Sequence, residues 1–213
     1  MEIVIDRNTL NGLDMRRLPT YRHLSRTTLS QKPDGSMLES MSLEGNDNFL
    51  QIAGKQHYRL LSYIAGLFND IQIGDIGTSS GGSAMALASN QRNVVYSLDR
   101  VNCRTKDFSE VRNAEFAVGS FYNESIFAKI LKSTVILLDI QHEGPDEEYF
   151  YNKLVSSNWN GLLICDDITL NSEMRKFWSK IDRPKFDVTE YGHGDNGSGT
   201  GIVIFGNYDI ILK

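Results

Sequence analysis

The sequence predicts an α/β fold in which seven strands, most of them parallel, form one sheet with helices on both faces. Short β-branched apolar runs alternate along the chain with longer segments that carry apolar residues at helical spacing. This alternation is typical of an open, mostly parallel sheet between two layers of helices. In addition, residues 134–138 (TVILL) are apolar without interruption, as expected of a central strand that is covered on both faces.

Composition narrows the classes of protein to which the chain can belong. Its 213 residues, 40% of them hydrophobic and 23% charged, suit one domain with a sizeable core. The net charge of −5 argues against a nucleic-acid partner that is held mainly through phosphate contacts. No apolar run approaches the roughly 20 residues that cross a bilayer, and residues 1–8 do not resemble a signal peptide. We therefore expect a cytoplasmic protein with no membrane partner.

Residues 1–48 are predicted to form a lid or cap segment of short helices and loops, because prolines and glycines interrupt any long periodicity there. The main domain is then expected at residues 49–213. The cap segment carries the most basic patch of this acidic chain, which suits an anionic substrate such as a nucleotide-linked sugar. A solvated surface is the alternative. The patch consists of Arg16, Arg17, Arg22, His23 and Arg26.

Residues 49–68 carry apolar side chains at helical spacing and predict an amphipathic helix that packs beside the first strand. We place Gln56 and His57 on the polar side of this helix. Neither residue is assigned any chemistry.

Residues 71–88 (IQIGDIGTSSGGSAMALA) predict a strand, a glycine turn and a helix, which together form the first βα unit of the sheet. Ligands of such sheets bind outside the carboxyl ends of the strands, where glycines allow tight turns and close approach of the backbone. The turn is therefore a candidate cofactor site. The dinucleotide pattern requires a second glycine where Ser79 stands, which weakens the case for NAD. The candidate cofactor-binding residues of this unit are Asp75, Gly77, Ser79, Gly81 and Ser83.

A second strand at residues 93–98 ends at Asp99, about 20 residues after the glycine turn. A carboxylate in this position can accept hydrogen bonds from two ribose hydroxyls. Asp99 therefore supports nucleoside binding without choosing the cofactor. The alternative is a surface aspartate that pairs with Arg100.

Apolar runs and helical spacing of apolar residues predict the remaining strands and helices. We expect strands at residues 115–119, 134–138, 161–165, 185–188 and 201–205, and helices at 126–131, from 145 onwards and around 174–181. Pro145 and the three acids at residues 146–148 suit the first turn of a helix, and these acids are assigned no other role. The loop at residues 189–200 contains four glycines, and we expect its Tyr191 and His193 to contact the substrate.

Three carboxylates follow two of these strands. Asp139 comes after the strand at 134–138, and Asp166 and Asp167 come after the strand at 161–165. Three acids at one sheet edge repel one another unless a cation joins them, and oxygen ligands select Mg²⁺, Mn²⁺ or Ca²⁺. The alternative is that Asp166 and Asp167 cap the following helix while Asp139 is a polar strand end.

Residues 75–83 (DIGTSSGGS) resemble motif I of class I S-adenosylmethionine-dependent methyltransferases, and most closely that of the small metal-dependent O-methyltransferases. In the catechol and caffeoyl-CoA branch of that family, Asp follows the fourth strand and Asp-Asn the fifth. Macrolide-sugar O-methyltransferases instead carry D-x-x-H followed by Asp-Asp. This chain has Asp139-x-x-His142 and Asp166-Asp167, so it resembles the sugar branch and, in size, glycan-modifying methyltransferases of large viruses. The similarity spans about residues 49–205 and omits the first 48.

The resemblance implies a Rossmann-like sheet whose last strand is antiparallel, with S-adenosylmethionine as the cofactor. It also implies that Asp139, Asp166 and Asp167 bind Mg²⁺, or Mn²⁺ or Ca²⁺ in its place. The acceptor would be a hydroxyl of a sugar, a glycan or a nucleotide-sugar. We expect His142, next to Asp139, to act as the catalytic base, with His193 as the other candidate.

Two other functions stay open at this point. The first is an NAD-dependent oxidoreductase, and the second is a non-catalytic scaffold that binds adenosylmethionine. The oligomeric state is also open, with a homodimer as one option, and the cytoplasm would be that of a host cell if a virus encodes the chain.

Overall fold

The computed structural model describes residues 1–20, 52–102, 108–192 and 198–213. In chain order, its strands are β1 (Glu2–Ile5), β2 (Gln72–Ile76), β3 (Val94–Asp99), β4 (Ala114–Val118), β5 (Val135–Leu138), β6 (Gly161–Asp166), β7 (Lys185–Asp187), β8 (Thr200–Phe205) and β9 (Asp209–Leu212). Its α-helices are α1 (Arg7–Gly12), α2 (Ile52–Gly66), α3 (Gly82–Leu87), α4 (Glu124–Ile130), α5 (Pro145–Ser156), α6 (Ser172–Lys180) and α7 (Thr189–Gly192), and one 3-10 turn spans Met15–Arg17.

Seven of the strands form one sheet in the order β4-β3-β2-β5-β6-β8-β7. All neighbours are parallel except β8, which is antiparallel to both β6 and β7. The predicted seven-stranded, mostly parallel sheet with an antiparallel last strand is therefore confirmed. From β2, the chain adds β3 and β4 towards one edge of the sheet. It then returns to the other side of β2 and adds β5 and β6 towards the opposite edge, so the strand order reverses between β2 and β5.

Helices cover both faces of the sheet because successive strand residues point to opposite sides. Within β5, Val135 and Leu137 pack towards α1, α2 and α3, whereas Ile136 and Leu138 pack towards α4, α5 and α6. All four side chains are buried. This double burial explains why the sequence of β5 is apolar without interruption.

A second, smaller sheet joins the two ends of the described chain. β1 pairs in parallel with β9, with Glu2 opposite Asp209 and Ile5 opposite Leu212. Neither strand was expected: β9 follows the predicted strand at residues 201–205 along the chain but lies outside the main sheet. Both strands have only four residues, too few for a clear alternating pattern.

The first 20 residues also contribute to the core beside α2 and α3. Ile3, Ile5, Leu10 and Met15 are buried in the same apolar cluster as the residues of those helices. The boundary that we expected near residue 48 lies outside the described residues. None of the helices in the described ranges is long and apolar enough to cross a membrane.

We expect Ile5→Ala to destabilise the whole domain, because the Ile5 side chain is fully buried beneath the main sheet. Removing a large aliphatic side chain from a core costs about 2 to 5 kcal/mol. Urea unfolding followed by circular dichroism should show one cooperative transition at a clearly lower midpoint. Val4→Ala is the matched control, because Val4 lies on the same strand and is only half-buried. Equal small shifts for both variants would mean that β1 adds little to the core.

Candidate functional site

The candidate site lies where the strand order reverses, at the carboxyl ends of β2 and β5. Open α/β sheets bind ligands at such a point because the connections leave in opposite directions and open a crevice. Gly77 follows β2 with a φ of +107°, and a Cβ added to it would lie 1.6 Å from the carbonyl oxygen of Asp139. Only glycine fits this conformation and this contact.

A cavity of about 510 Å³ opens at this point. It is lined by Ile76, Gly77, Ser79, Leu98, Asp99, Arg100, Val101, Gly119, Phe121, Asp139, Ile140, Gln141 and His142. Its volume falls within the range of small-molecule sites, about 300 to 1,000 Å³.

Of the six predicted cofactor-binding residues, Gly77, Ser79 and Asp99 line this cavity. The other three are not among the residues that line it. Gly81 is the N-cap of α3 with a φ of +94°, and an added Cβ there would collide with Phe108. Ser83 and Asp75 are buried.

The Asp99 carboxylate lies at the end of β3 and is held by backbone donors. The N–H of Ser79 donates to Oδ2 at 2.8 Å, and the N–H of Val101 is 3.4 Å from Oδ1. The alternative of an Asp99–Arg100 ion pair is wrong, because the Arg100 guanidinium pairs with Asp146 and also donates to Gln141. Asp99 therefore faces the cavity as a fixed acceptor that no basic side chain neutralises within the described part of the chain.

Asp75 lies on β2, just before the glycine turn. Its side chain is fully buried, and the Ser97 hydroxyl donates to Oδ2 at 2.6 Å. Burial raises the pKa of Asp75 from 3.8 to about 7, although the Ser97 and Ser83 hydroxyls oppose this shift. The buried Asp75 carboxyl group also connects β2 to β3 through its hydrogen bond with Ser97.

Two of the three predicted metal ligands meet at the edge of the cavity, and an unexpected residue joins them. One oxygen each of Asp139 and Asp166 and a ring nitrogen of His57 all lie within 4.8 Å of one another. The Nδ1 atom of His57 is 3.5 Å from Oδ1 of Asp166, which also lies 3.3 Å from the Thr200 hydroxyl. Asp167 instead places Oδ2 3.2 Å from Nε2 of His142.

His142 lies between two carboxylates. Its Nε2 atom is 3.3 Å from Oδ1 of Asp139 and 3.2 Å from Oδ2 of Asp167. Burial lowers the pKa of His142, but the hydrogen bond to Asp139 and the charges of Asp167, Asp139 and Asp166 outweigh burial and raise the pKa above 6.5. Burial raises the pKa of Asp139, and the nearby charge of Asp166 adds to this effect, whereas His142 opposes it.

Glu147 holds the backbone around His142 in place. It is almost fully buried at the start of α5, where its two oxygens accept the N–H groups of His142 and Gly144, each at 2.8 Å. The Asn171 side chain donates to the carbonyl oxygen of His142, also at 2.8 Å. The expectation that the acids at residues 146–148 have no other role is therefore wrong, because Glu147 positions His142 and Asp146 anchors Arg100.

His57 is the site residue that the sequence analysis missed. We placed it on the polar side of its helix, but it is 6% exposed and faces the carboxylates. The helical spacing contained the signal: His57 precedes Leu60, Leu61 and Ile64 by three, four and seven residues, which puts all four on one face. A histidine that continues an apolar stripe is thus a candidate for a buried, functional position.

Of the two predicted substrate residues, Tyr191 and His193, the structure describes Tyr191. Tyr191 lies in α7, where the Arg7 guanidinium stacks 5.3 Å from the centre of its ring, and it does not line the described cavity. His193 lies outside the described residues, as do Arg22, His23 and Arg26 of the basic patch. Arg17 is exposed and lies 3.5 Å from Asp14.

The sheet and its flanking helices form an α/β, Rossmann-like fold, and solved structures of methyltransferases share it. Rv0187 from MTB, in a cofactor-bound form, has a TM-score of 0.54 at 12% identity over 73% of this chain and 82% of that protein. The O-methyltransferase from Bacillus cereus in complex with SAH has a TM-score of 0.53 at 13% identity over 71% and 80% of the two chains. SAH-bound PaMTH1 of Podospora anserina has a TM-score of 0.52 at 14% identity over 70% and 78%. No protein-family model and no curated protein sequence matches the chain.

We expect Asp75→Asn to change how stability depends on pH. The raised pKa of Asp75 means that the folded state keeps this proton up to about pH 7, whereas the unfolded chain releases it above pH 3.8. The stability contributed by Asp75 is therefore present at low pH and is lost as the pH rises from about 4 to 7. Asparagine does not titrate, so the variant should gain up to about 4 kcal/mol relative to the wild type over this range.

Urea unfolding at pH 5, 6, 7 and 8 would measure this difference. Asp70→Asn is the control, because Asp70 is exposed and pairs with Arg92 on the surface. A difference between Asp75→Asn and the wild type that does not change with pH would show that Asp75 is ionised throughout.

Proposed function

We propose that the protein is an S-adenosylmethionine-dependent O-methyltransferase that methylates a hydroxyl of a sugar or glycan, using a divalent cation and a histidine base. The main observation behind this proposal is that one cavity is lined both by the predicted cofactor-binding residues and by the predicted catalytic residues. The same wall includes Gly77, Ser79 and Asp99 on one side and Asp139 and His142 on the other. A nucleoside held at the first group therefore has its reactive end beside the second.

Two features support adenosylmethionine as the cofactor: the tight turn at Gly77 and the hydrogen-bond acceptor Asp99. Adenosylmethionine supplies its methyl group as a sulfonium, which is already activated for transfer. Gly77 lets the backbone approach a ligand closely, and the fixed carboxylate of Asp99 is placed to accept ribose hydroxyls. The solved methyltransferases with this fold include SAH-bound forms, which supports the same cofactor here.

The donor set at the cavity edge fits a divalent cation. Asp139 and Asp166 bring two negative charges together, and His57 adds a nitrogen within 4.8 Å of both. Carboxylates brought this close repel unless a positive charge compensates them. A bound cation would lower the pKa of a chelated hydroxyl, which is otherwise a poor nucleophile at neutral pH. Asp167 supports His142 in this arrangement, and its predicted place as a ligand stays a prediction.

His142 is placed to take the proton of the acceptor hydroxyl. Its Nε2 atom lies beside Asp139 and Asp167, whose charges stabilise the imidazolium that forms. The bond formed joins the acceptor oxygen to the methyl carbon, the bond broken joins that carbon to sulfur, and the sulfur leaves as a neutral thioether. The proton of the hydroxyl ends on the imidazole of His142, which is neutral at a pH above its raised pKa, so charges and atoms balance. Glu147 and Asn171 keep the residue in position for this step.

We expect Asp99→Ala to weaken the binding of adenosylmethionine while leaving the fold intact. A lost hydrogen bond to a charged acceptor costs about 1.5 to 3 kcal/mol, hence roughly tenfold or more in affinity. Calorimetric titration would measure the change. Asp182→Ala is the control, because Asp182 is exposed and accepts the Tyr151 hydroxyl away from the cavity. Unchanged affinity in Asp99→Ala would place the nucleoside elsewhere, and binding of NAD in place of adenosylmethionine would overturn the proposal.

We expect His142→Ala to lower kcat at least about a hundredfold, as is typical for loss of a general base, with nearly unchanged affinity for adenosylmethionine. The assay incubates the protein with adenosylmethionine, Mg²⁺ or Mn²⁺, and a panel of free sugars, nucleotide-sugars and glycans. Mass spectrometry then detects the gain of one methylene. Near-normal kcat in His142→Ala across pH 6 to 9 would assign the base to another group, and a panel without any methylated product would contradict the sugar acceptor.

A further inference from the structure

The candidate cation site contains a histidine nitrogen, from His57, in addition to carboxylate oxygens. Its metal preference should therefore differ from that of a site made only of carboxylates. His57 lies on α2, whereas Asp139 follows β5 and Asp166 ends β6. Their potential ligand atoms lie within 4.8 Å of one another although they come from three separate elements. Hard cations such as Mg²⁺ are held mainly by oxygens, whereas imidazole nitrogen suits first-row transition ions.

The side chains of this group are ordered by their surroundings. His57 is 6% exposed and Asp166 is 8% exposed. The Tyr58 ring meets the imidazole edge-on with centroids 5.4 Å apart, and the Thr200 hydroxyl contacts Asp166. The imidazole is thus presented to the carboxylates by a packed helix and has little freedom to turn away.

The distances are close to those of a coordination sphere. Octahedral ligands about 2.1 Å from an ion lie roughly 3.0 Å apart when adjacent and 4.2 Å apart when opposite. Nδ1 of His57 and Oδ1 of Asp166 are 3.5 Å apart, and all three ligand atoms fit within 4.8 Å. Closing these separations by about half an ångström would give the spacing of ligands around one ion.

We infer that His57, Asp139 and Asp166 form a mixed nitrogen and oxygen site that binds a first-row transition ion, such as Mn²⁺, in preference to Mg²⁺. The inference rests on the proposed function for the presence of a cation but not on methyl transfer. It predicts a direct bond from the metal to the His57 nitrogen. Two carboxylates and a neutral imidazole give a net charge of −2, which matches a divalent ion.

Two other arrangements use the same residues. In the first, His57 is protonated and forms a buried ion pair with Asp166, so that no metal binds to its nitrogen. In the second, the nitrogen ligand is His142, which is 3.3 Å from Asp139 and 3.2 Å from Asp167. Variants of the two histidines distinguish these arrangements.

Pulsed electron paramagnetic resonance of the full chain with Mn²⁺ alone tests the bond directly. Wild-type protein should show the ¹⁴N modulation of a directly bound imidazole. His57→Gln should lose this modulation, and the matched variant His142→Gln should keep it. Absence of ¹⁴N modulation in the wild type, or its loss only in His142→Gln, would overturn the inference, and the wild-type spectrum decides even if a variant fails to fold.

Competition between Mn²⁺ and Mg²⁺ tests the selectivity. Wild-type protein should bind Mn²⁺ at least about tenfold more tightly than Mg²⁺, as followed by the free Mn²⁺ signal. His57→Asp creates an all-oxygen site and should reduce this preference at least about tenfold, since carboxylate ligands suit Mg²⁺ and Mn²⁺ alike. An unchanged ratio in His57→Asp would overturn the inference. Titration with adenosylmethionine in the absence of metal reports separately on the proposed function.

Discussion

The contact between Gly77 and the backbone of Asp139 is the constraint on which the cleft depends. It joins the carboxyl end of β2 to that of β5 so closely that no side chain fits between them. The two connections therefore leave in opposite directions from one point, and the cavity opens there. A fixed distance between the glycine turn and the acids follows from this single backbone contact.

Backbone strain is concentrated around the same point. Among the described residues, five non-glycine residues have a positive φ, and three of them are Ser79, His142 and Asp167. Such conformations cost about 1 to 3 kcal/mol each and persist only where the surroundings over-determine them. Hydrogen bonds hold two of these residues in place: Asp99 accepts the N–H of Ser79, and Glu147 and Asn171 bind the backbone of His142. Two of these positions, Ser79 and His142, line the cleft.

Sequence reasoning predicted the main sheet because β5 and its neighbours bury both faces, and this leaves uninterrupted apolar runs. It also placed Asp99 and Asp139 at the ends of strands, since strand ends are visible in the pattern, and both residues line the cavity. It missed His57 because an imidazole counts as polar when a helix is divided into faces, although the residue continues the apolar stripe. It missed the role of Glu147 because an acid in a first helical turn already has a sufficient explanation in the helix dipole. Contacts between distant segments, such as β1 with β9, leave no local pattern.

The pairing of β1 with β9 has a consequence for biosynthesis. Residues 2–5 find their partner only at residues 209–212, so a ribosome must deliver nearly the whole described chain before this small sheet can close. Until then Ile3 and Ile5, which end up buried, have no complete site in the core. Contacts of such high sequence separation form late and slowly. The pairing of β1 therefore waits until residues 209–212 have been synthesised.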